Sequence, residues 1–187
     1  MRVISGSFKG TKLNMPEEKS TRPLKDMVRE SIFNLLIHSK KILLQMEKCR
    51  VLDLYAGSGS FGIECISRKV AHVSFVENNK LAFKILDKNI EKLKIKNKTK
   101  TFFEDVFQFL NKINDIKLEF DLIFCDPPFK DEALNDLIKL IFNKKLLSKN
   151  GILIIHRNKE TKDNFPKYLN VIDERIYGVS KIIFGRF

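Results

Sequence analysis

Three glycines constrain this chain most. Gly57-Ser58-Gly59-Ser60-Phe61-Gly62 follows a short apolar run, Val51 to Leu54, and opens a run with helical spacing, Ser60 to Arg68. Glycine permits the left-handed backbone of a tight strand-to-helix turn and lets main chain approach a ligand closely. The alternation continues downstream. His72 to Val76 predicts a strand and Asn79 to Ile95 a helix; Lys100 to Phe103 predicts a strand, with a helix from about Val106. Phe120 to Cys125 predicts a strand, Asp131 to Leu147 a segment that is mostly helix, and Gly151 to His156 another strand. Tyr168 to Ile176 and Lys181 to Phe187 predict a final antiparallel pair turning at Tyr177-Gly178. The pattern is that of a Rossmann-like α/β fold, a doubly wound and mostly parallel sheet with a C-terminal antiparallel hairpin.

The stretch before Arg50 does not share that rhythm. Its first 13 residues alternate loosely around Gly6 and Gly10 and predict a small β-hairpin. A polar loop follows. Pro23 stands where a helix would start, and Val28, Ile32, Leu35 and Leu36 carry helical spacing to about His38. Two units are therefore expected: a basic extension over residues 1–49 and a larger domain over residues 50–187.

Charge points to a polyanionic partner. The net charge is +12, and residues 1–50 hold 11 Lys/Arg against 5 Asp/Glu, a net of +6. A basic surface attracts nucleic acid and speeds encounter with it, so the extension is the expected recognition element. Lys9, Lys12, Arg22 and Arg29 are its candidate phosphate contacts. Arg22 and Arg29 are seven residues apart, about two helical turns, and so share a face. Each has the plainer alternative of a solvated charge or a partner for Asp26 or Glu30. Lys80, Lys84, Lys88, Lys92 and Lys96 repeat every fourth residue and read first as a solvated face, partly offset by Asp87 and Glu91.

Cys49, Cys65 and Cys125 are odd in number and widely spaced, which suits neither a metal centre nor a disulfide framework and fits a reducing cytoplasm. No apolar run approaches the ~20 residues of a membrane span, and the N-terminus carries no signal-peptide pattern. A metal is not expected, and nothing demands more than a monomer.

The glycine turn predicts a nucleotide-like cofactor. Glu77 ends the next strand, 18 residues after Gly59, where a carboxylate can accept hydrogen bonds from ribose hydroxyls. Asp53 is awkward beside a pyrophosphate and better suits the cationic amino group of a methionine moiety, which selects S-adenosylmethionine over a dinucleotide. Asp105 is placed to meet an adenine amino group, and serves equally well as a helix N-cap. Tyr55, Ala56, Ser58, Asn78 and Val106 flank these positions and complete the expected lining.

Asp126-Pro127-Pro128-Phe129 closes the strand Phe120 to Cys125, 73 residues after Asp53. An exocyclic amine on a base is a poor nucleophile because its lone pair is delocalised into the ring. Acceptors aimed at its N–H groups draw it toward tetrahedral geometry, freeing the lone pair to attack a sulfonium methyl. The Asp126 carboxylate and Pro127 carbonyl are the candidate acceptors. Two prolines fix successive φ angles and hold those acceptors ready. Phe129 can stack on the base, a contact of ~1–3 kcal/mol. His156 ends a predicted strand at the same edge and reads as structural; His38 and His72 carry no signal.

The two motifs resemble those of class I S-adenosylmethionine-dependent nucleic-acid amino-methyltransferases. The N-terminal run Arg2-Val-Ile-Ser-Gly6-Ser-Phe8-Lys9-Gly10-Thr-Lys-Leu13 resembles the opening of the RsmD family, and Thr21 to Asn34 resembles its second signature. Glu64, Ser67-Arg68, the Asp126 to Phe129 motif and Tyr177-Gly178 extend the resemblance along the chain. Ser5, Phe8 and Leu24 depart from the family's common glycine, tryptophan and threonine. The resemblance implies a seven-stranded sheet and methylation of the N2 amino group of one guanine in 16S rRNA, within an assembling small ribosomal subunit. Read from residues alone, two alternatives stay open: adenine-N6 methylation of RNA or DNA, and an RNA-binding assembly factor with a vestigial site.

Overall fold

The computed structural model of the protein describes residues 1–16, 24–42, 44–113, 118–128 and 133–187. Strand β1 (Arg50–Leu54) lies inside a seven-stranded sheet ordered β3-β2-β1-β4-β5-β7-β6. The others are β2 (His72–Glu77), β3 (Thr99–Phe103), β4 (Phe120–Cys125), β5 (Leu147–Asn158), β6 (Asn170–Tyr177) and β7 (Ser180–Arg186). The first five neighbours in that order run parallel, and β7 is antiparallel to both β5 and β6. The helices are α1 (Asp26–His38), α2 (Ser60–Ser67), α3 (Lys80–Leu93), α4 (Val106–Lys112) and α5 (Leu134–Asn143).

Both faces of the sheet are covered, so its central strands bury apolar residues on both sides rather than alternating apolar with polar. Val51, Val73, Phe75, Leu122, Phe124, Ile152, Ile154, Ile182 and Phe184 join one core. Leu52, Leu54, Val76, Ile123, Cys125, Leu153, Ile155 and Ile183 join the other, with α4 and α5. Because successive side chains point to opposite faces, parity assigns each strand-end residue to a side. Asp53, Asp126 and His156 share the parity of the first core; Arg157 shares that of the second.

The extension has no separate core. Val3, Leu13, Leu24, Val28, Ile32, Phe33 and Leu36 belong to the first core. Phe33 stacks on Phe61 of α2 at 5.3 Å, and Phe61 stacks on Phe124 of β4 at 3.9 Å. The N-terminal hairpin is narrower than its sequence suggests. It has a single antiparallel bridge, Arg2 to Lys12, around a 3-10 turn at Gly6–Phe8. Its backbone bonds run from Val3 N to Thr11 O, Gly10 N to Val3 O and Leu13 N to Met1 O.

Two boundaries differ from expectation. Helix α5 stops at Asn143, because Lys145 takes a left-handed φ of 52° and Leu147 already pairs with Phe120 in β5. Strand β5 thus starts four residues early and bulges before Leu122 pairs with Ile152. Pro23 lies outside the described residues; α1 begins at Asp26 without a side-chain cap. No helix among the described residues is long and apolar enough to cross a membrane.

Candidate active site

The strand order reverses at β1 and β4, and in such sheets ligands bind outside the carboxyl ends of the strands at that switch point. Three predicted carboxylates stand at those ends: Asp53 on β1, Glu77 on β2 and Asp126 after β4. The turn after β1 alternates left-handed residues, Tyr55 at φ 60°, Gly57 at 56° and Gly59 at 82°. Tyr55 carries strain of about 1–3 kcal/mol there, and the glycines carry none. A Cβ on Gly59 would sit 2.3 Å from Leu86 of α3, so the loop also lies tight on that helix.

Asp53 is buried, and its Oδ2 accepts the Gly62 amide at 3.0 Å. Gly59, the residue before α2, has no side chain to cap the helix, and Asp53 supplies that acceptor from the strand. Burial, above all, pushes the Asp53 carboxyl up to about 8; the Gly62 amide pulls it down, while Asp126 and then Glu77 push it up. Glu77 is committed to the main chain on both oxygens. Gly57 N donates to its Oε2 at 2.6 Å and Asn79 N to its Oε1 at 2.7 Å. The carboxylate is thus fixed in place, with further lone pairs left on each oxygen.

Asp126 is held by its neighbours. Its amide donates to Leu54 O at 3.4 Å, tying the loop to β1. Its Oδ1 lies 2.8 Å from His156 Nδ1, and His156 Nε2 lies 2.9 Å from Ser180 Oγ. From the other face of β5, Arg157 Nη1 donates to Pro128 O at 3.4 Å while its Nε donates to Asp163 at 3.1 Å. Lys181 Nζ is 3.1 Å from the second Asp163 oxygen and donates to Thr161 O. Pro127 is buried and Pro128 exposed; Phe129 lies outside the described residues.

The remaining expected lining is mixed. Asp105 caps α4, its Oδ1 accepting the Phe107 and Gln108 amides at 2.9 and 3.2 Å. Val106 packs its side chain into the second core, leaving only main chain to meet a ligand. Asn78 is exposed, Tyr55 half-buried, and Ala56 and Ser58 buried. Among the described residues no group of three His, Cys, Asp or Glu can hold a metal.

Arg29 requires correction. Expected as a phosphate contact, it is wholly buried. Its Nη2 donates to Arg2 O at 2.6 Å and to Asp26 at 3.0 Å, and its Nε faces Glu64 at 3.9 Å. The i, i+3 pairing with Asp26 and the inward face of α1 leave no guanidinium surface for RNA. Lys9 and Lys12 are exposed, and Arg22 lies outside the described residues.

Several residues that organise the site were not singled out for these roles. Glu64, buried in α2, accepts the amides of Ile4 and Ser5 at 2.7 and 3.0 Å and Arg68 Nε at 2.8 Å. Ser67 Oγ accepts the Phe8 amide and donates to Ser5 O. Asn89, buried in α3, donates to Ser58 O and Asn14 O and accepts the Asn14 amide at 2.8 Å, which links the glycine loop to the extension. A polar residue on an otherwise apolar face was the available signal: Glu64 among Phe61, Ile63, Cys65 and Ile66, Asn89 between Leu86 and Ile90, His156 after Ile152 and Ile154.

The family described as Conserved hypothetical protein 95 matches residues 1–186. YlbH of Bacillus subtilis is 35% identical over 162 residues, 87% of this chain and 85% of that protein. Ribosomal RNA small subunit methyltransferase D of Buchnera aphidicola (subsp. Acyrthosiphon pisum) is 34% identical over 174 residues, 93% of this chain and 86% of that protein. The solved structure of yhhF from Escherichia coli superposes with a TM-score of 0.83 at 26% identity, covering 100% of this chain and 97% of that one. With its whole length matched and its glycine turn and Asp-Pro-Pro loop at the sheet's switch point, this chain belongs to the RsmD family.

Proposed function

We propose that the protein transfers a methyl group from S-adenosylmethionine to the exocyclic N2 amino group of a guanine in small-subunit rRNA. The observation that carries this reading is the gathering of Asp53, Glu77 and Asp126 at adjacent strand ends, close enough for the other two to raise the Asp53 carboxyl. A cationic ligand group relieves that mutual repulsion, whereas a pyrophosphate would add to it. Asp53 is the acceptor for the methionine amino group, directly through Oδ1 or through water. Glu77 takes the ribose hydroxyls, and the second oxygen of Asp105 takes the adenine amino group. Main chain of Tyr55, Ala56, Gly57, Ser58, Gly59, Asn78 and Val106 forms the walls.

S-adenosylmethionine supplies an electrophilic methyl on a sulfonium centre. The protein's part is to present the amine. Asp126 and the Pro127 carbonyl accept hydrogen bonds from its two N–H groups and localise the lone pair; the N–CH3 bond would form as the S–CH3 bond breaks to leave S-adenosylhomocysteine, and the resulting ammonium would give its proton to solvent. Because the acceptors are fixed by β1, β5 and two prolines beforehand, little reorganisation accompanies the reaction. Phe129 is the stacking platform for a base that is unpaired or flipped out.

RNA recognition falls to the extension, with Lys9, Lys12 and Arg22 as phosphate contacts. The substrate is an assembling small ribosomal subunit in the cytoplasm, and the enzyme acts as a monomer without a metal. The names of relatives that describe small-subunit rRNA methyltransferases support the substrate class. The choice of guanine N2 rests on the family resemblance.

The test is to incubate the protein with radiolabelled S-adenosylmethionine and small subunits from cells lacking the activity, then digest the rRNA to nucleosides. Label in N2-methylguanosine is expected, and Asp126→Ala abolishes it while cofactor binding persists. Label in N6-methyladenosine would overturn the base assignment. RNA binding without label would favour an assembly factor.

A further inference from the structure

We propose that His156 is a positioning residue for methyl transfer: anchored on Ser180, its ring locks the Asp126 carboxylate so that one oxygen is left for the substrate amine. The inference rests on the function proposed above and assigns a role to a histidine that the motifs do not include.

The geometry is built across three neighbouring strands. Cys125 pairs with Ile155 in the parallel β4–β5 register, so Asp126 and His156 follow side by side. Asn158 pairs with Ser180 in the antiparallel β5–β7 register, which brings Ser180 beside His156 on the same face. His156 is 4% exposed, and its ring is bonded at both nitrogens, to Asp126 Oδ1 at 2.8 Å and to Ser180 Oγ at 2.9 Å.

The chemistry of the partners gives the bond to Asp126 its direction. A carboxylate accepts, so Nδ1 carries the hydrogen that meets Asp126. A serine hydroxyl can accept from Nε2 or donate to it, so Ser180 anchors the far side of the ring in either case. The histidine therefore orients the carboxylate through a single N–H. Oδ1 is thus occupied, Oδ2 faces the amine, and the Pro127 carbonyl takes the second N–H. Arg157 steadies the same loop through Pro128 O from the opposite face of β5, so adjacent residues grip both ends of Asp126-Pro127-Pro128.

The role separates orientation from binding. His156→Leu removes the donor and keeps apolar volume. His156→Asn keeps a donor near the Nδ1 position, and Ser180→Ala frees the far side of the ring without touching Asp126. Single-turnover methyl transfer with small subunits is expected to slow by about 10–100-fold in His156→Leu and about 3-fold in Ser180→Ala, and to recover to within about 5-fold in His156→Asn. The Kd for S-adenosylhomocysteine and the KM for the subunit should stay within about 2-fold. In an Asp126→Asn background, His156→Leu should add no further loss.

Wild-type rates in His156→Leu, equal losses in His156→Leu and His156→Asn, or an additive loss on Asp126→Asn would each overturn the role. If His156→Leu does not fold, His156→Asn and Ser180→Ala decide: the role requires the graded slowing just given at unchanged affinity, and wild-type rates in both would overturn it. A wild-type protein that labels no nucleoside overturns the proposed function itself, an outcome distinct from an active wild type matched by an equally active His156→Leu.

Discussion

Asp53 accepts the amide of Gly62 from inside the protein, so a carboxylate on β1 closes the first turn of α2. Its charge is unfavourable in that position. With the folded value raised to about 8 and an ordinary value of about 3.9, the folded state holds a proton that the unfolded state releases between roughly pH 4 and 8. This group's contribution to stability is therefore full below about pH 4 and is lost as pH rises through 8. Asp53→Asn keeps an oxygen for Gly62 and removes that slope. The melting temperature of the ligand-free wild type is expected to fall relative to Asp53→Asn between pH 5 and 8.5. Affinity for S-adenosylhomocysteine moves the other way. It rises with pH in the wild type as Asp53 ionises to meet the ligand's amino group, and is flat and about 10-fold weaker at pH 8.5 in Asp53→Asn. Calorimetric titrations at pH 6.5 and 8.5 check both.

Arg29 and the exposed lysines of the hairpin should separate cleanly. Arg29 is a buried cation beside Glu64 and Asp26, and removing one member of such a cluster costs about 3–5 kcal/mol. Arg29→Met is expected to lower stability to denaturant by that order. Lys9→Ala and Lys12→Ala leave the melting temperature unchanged. Each instead reduces the slope of log affinity for rRNA against log salt by about 1. Urea unfolding and salt-dependent filter binding read the two effects.

The contrast between Arg29 and Lys9 marks where the sequence stops being legible. Parity and spacing are local properties, so the strands, the glycine turn and the Asp-Pro-Pro loop could be placed from runs of a few residues. Asp53, Glu77 and Asp126 fall at strand ends for the same reason. The direction in which α1 presents Arg29 depends on Glu64, 35 residues later and on another helix. Asn89 and His156 depend likewise on partners brought close only by the winding of the sheet. A lone polar residue in an apolar run signals that some partner exists without naming it. The early start of β5 was hidden because Ser148, Lys149 and Asn150 carry no apolar alternation, and the pairing of Leu147 with Phe120 is a long-range contact.

Gly6 fixes the approach of the extension to α2. Its φ is 81°, and a Cβ there would lie 1.9 Å from the Ser67 carbonyl oxygen. Neither strain nor clash can relax cheaply, because the obstacle is helix backbone and the flanking Ser5 amide is bound to Glu64. Gly6→Ala is expected to destabilise by about 3 kcal/mol. Gly10→Ala meets no atom within 4 Å and incurs only the left-handed backbone cost at φ 83°, about 1 kcal/mol. Paired denaturation curves test the ranking, and equal losses would contradict this packing.

Asp105 caps α4 and is proposed to bind adenine, two roles that substitution can divide. Its Oδ1 accepts both amides of the α4 cap, and the proposed function gives the second oxygen to the adenine amino group. Asp105→Ser keeps a capping oxygen and loses the second acceptor. Its stability should stay within about 0.5 kcal/mol of wild type, whereas Asp105→Ala loses about 1 kcal/mol. Both variants should bind S-adenosylhomocysteine about 10-fold more weakly, the order expected when a buried amino group loses its acceptor. Wild-type affinity in Asp105→Ser would leave Asp105 a helix cap only, and would move adenine recognition to the main chain around Val106.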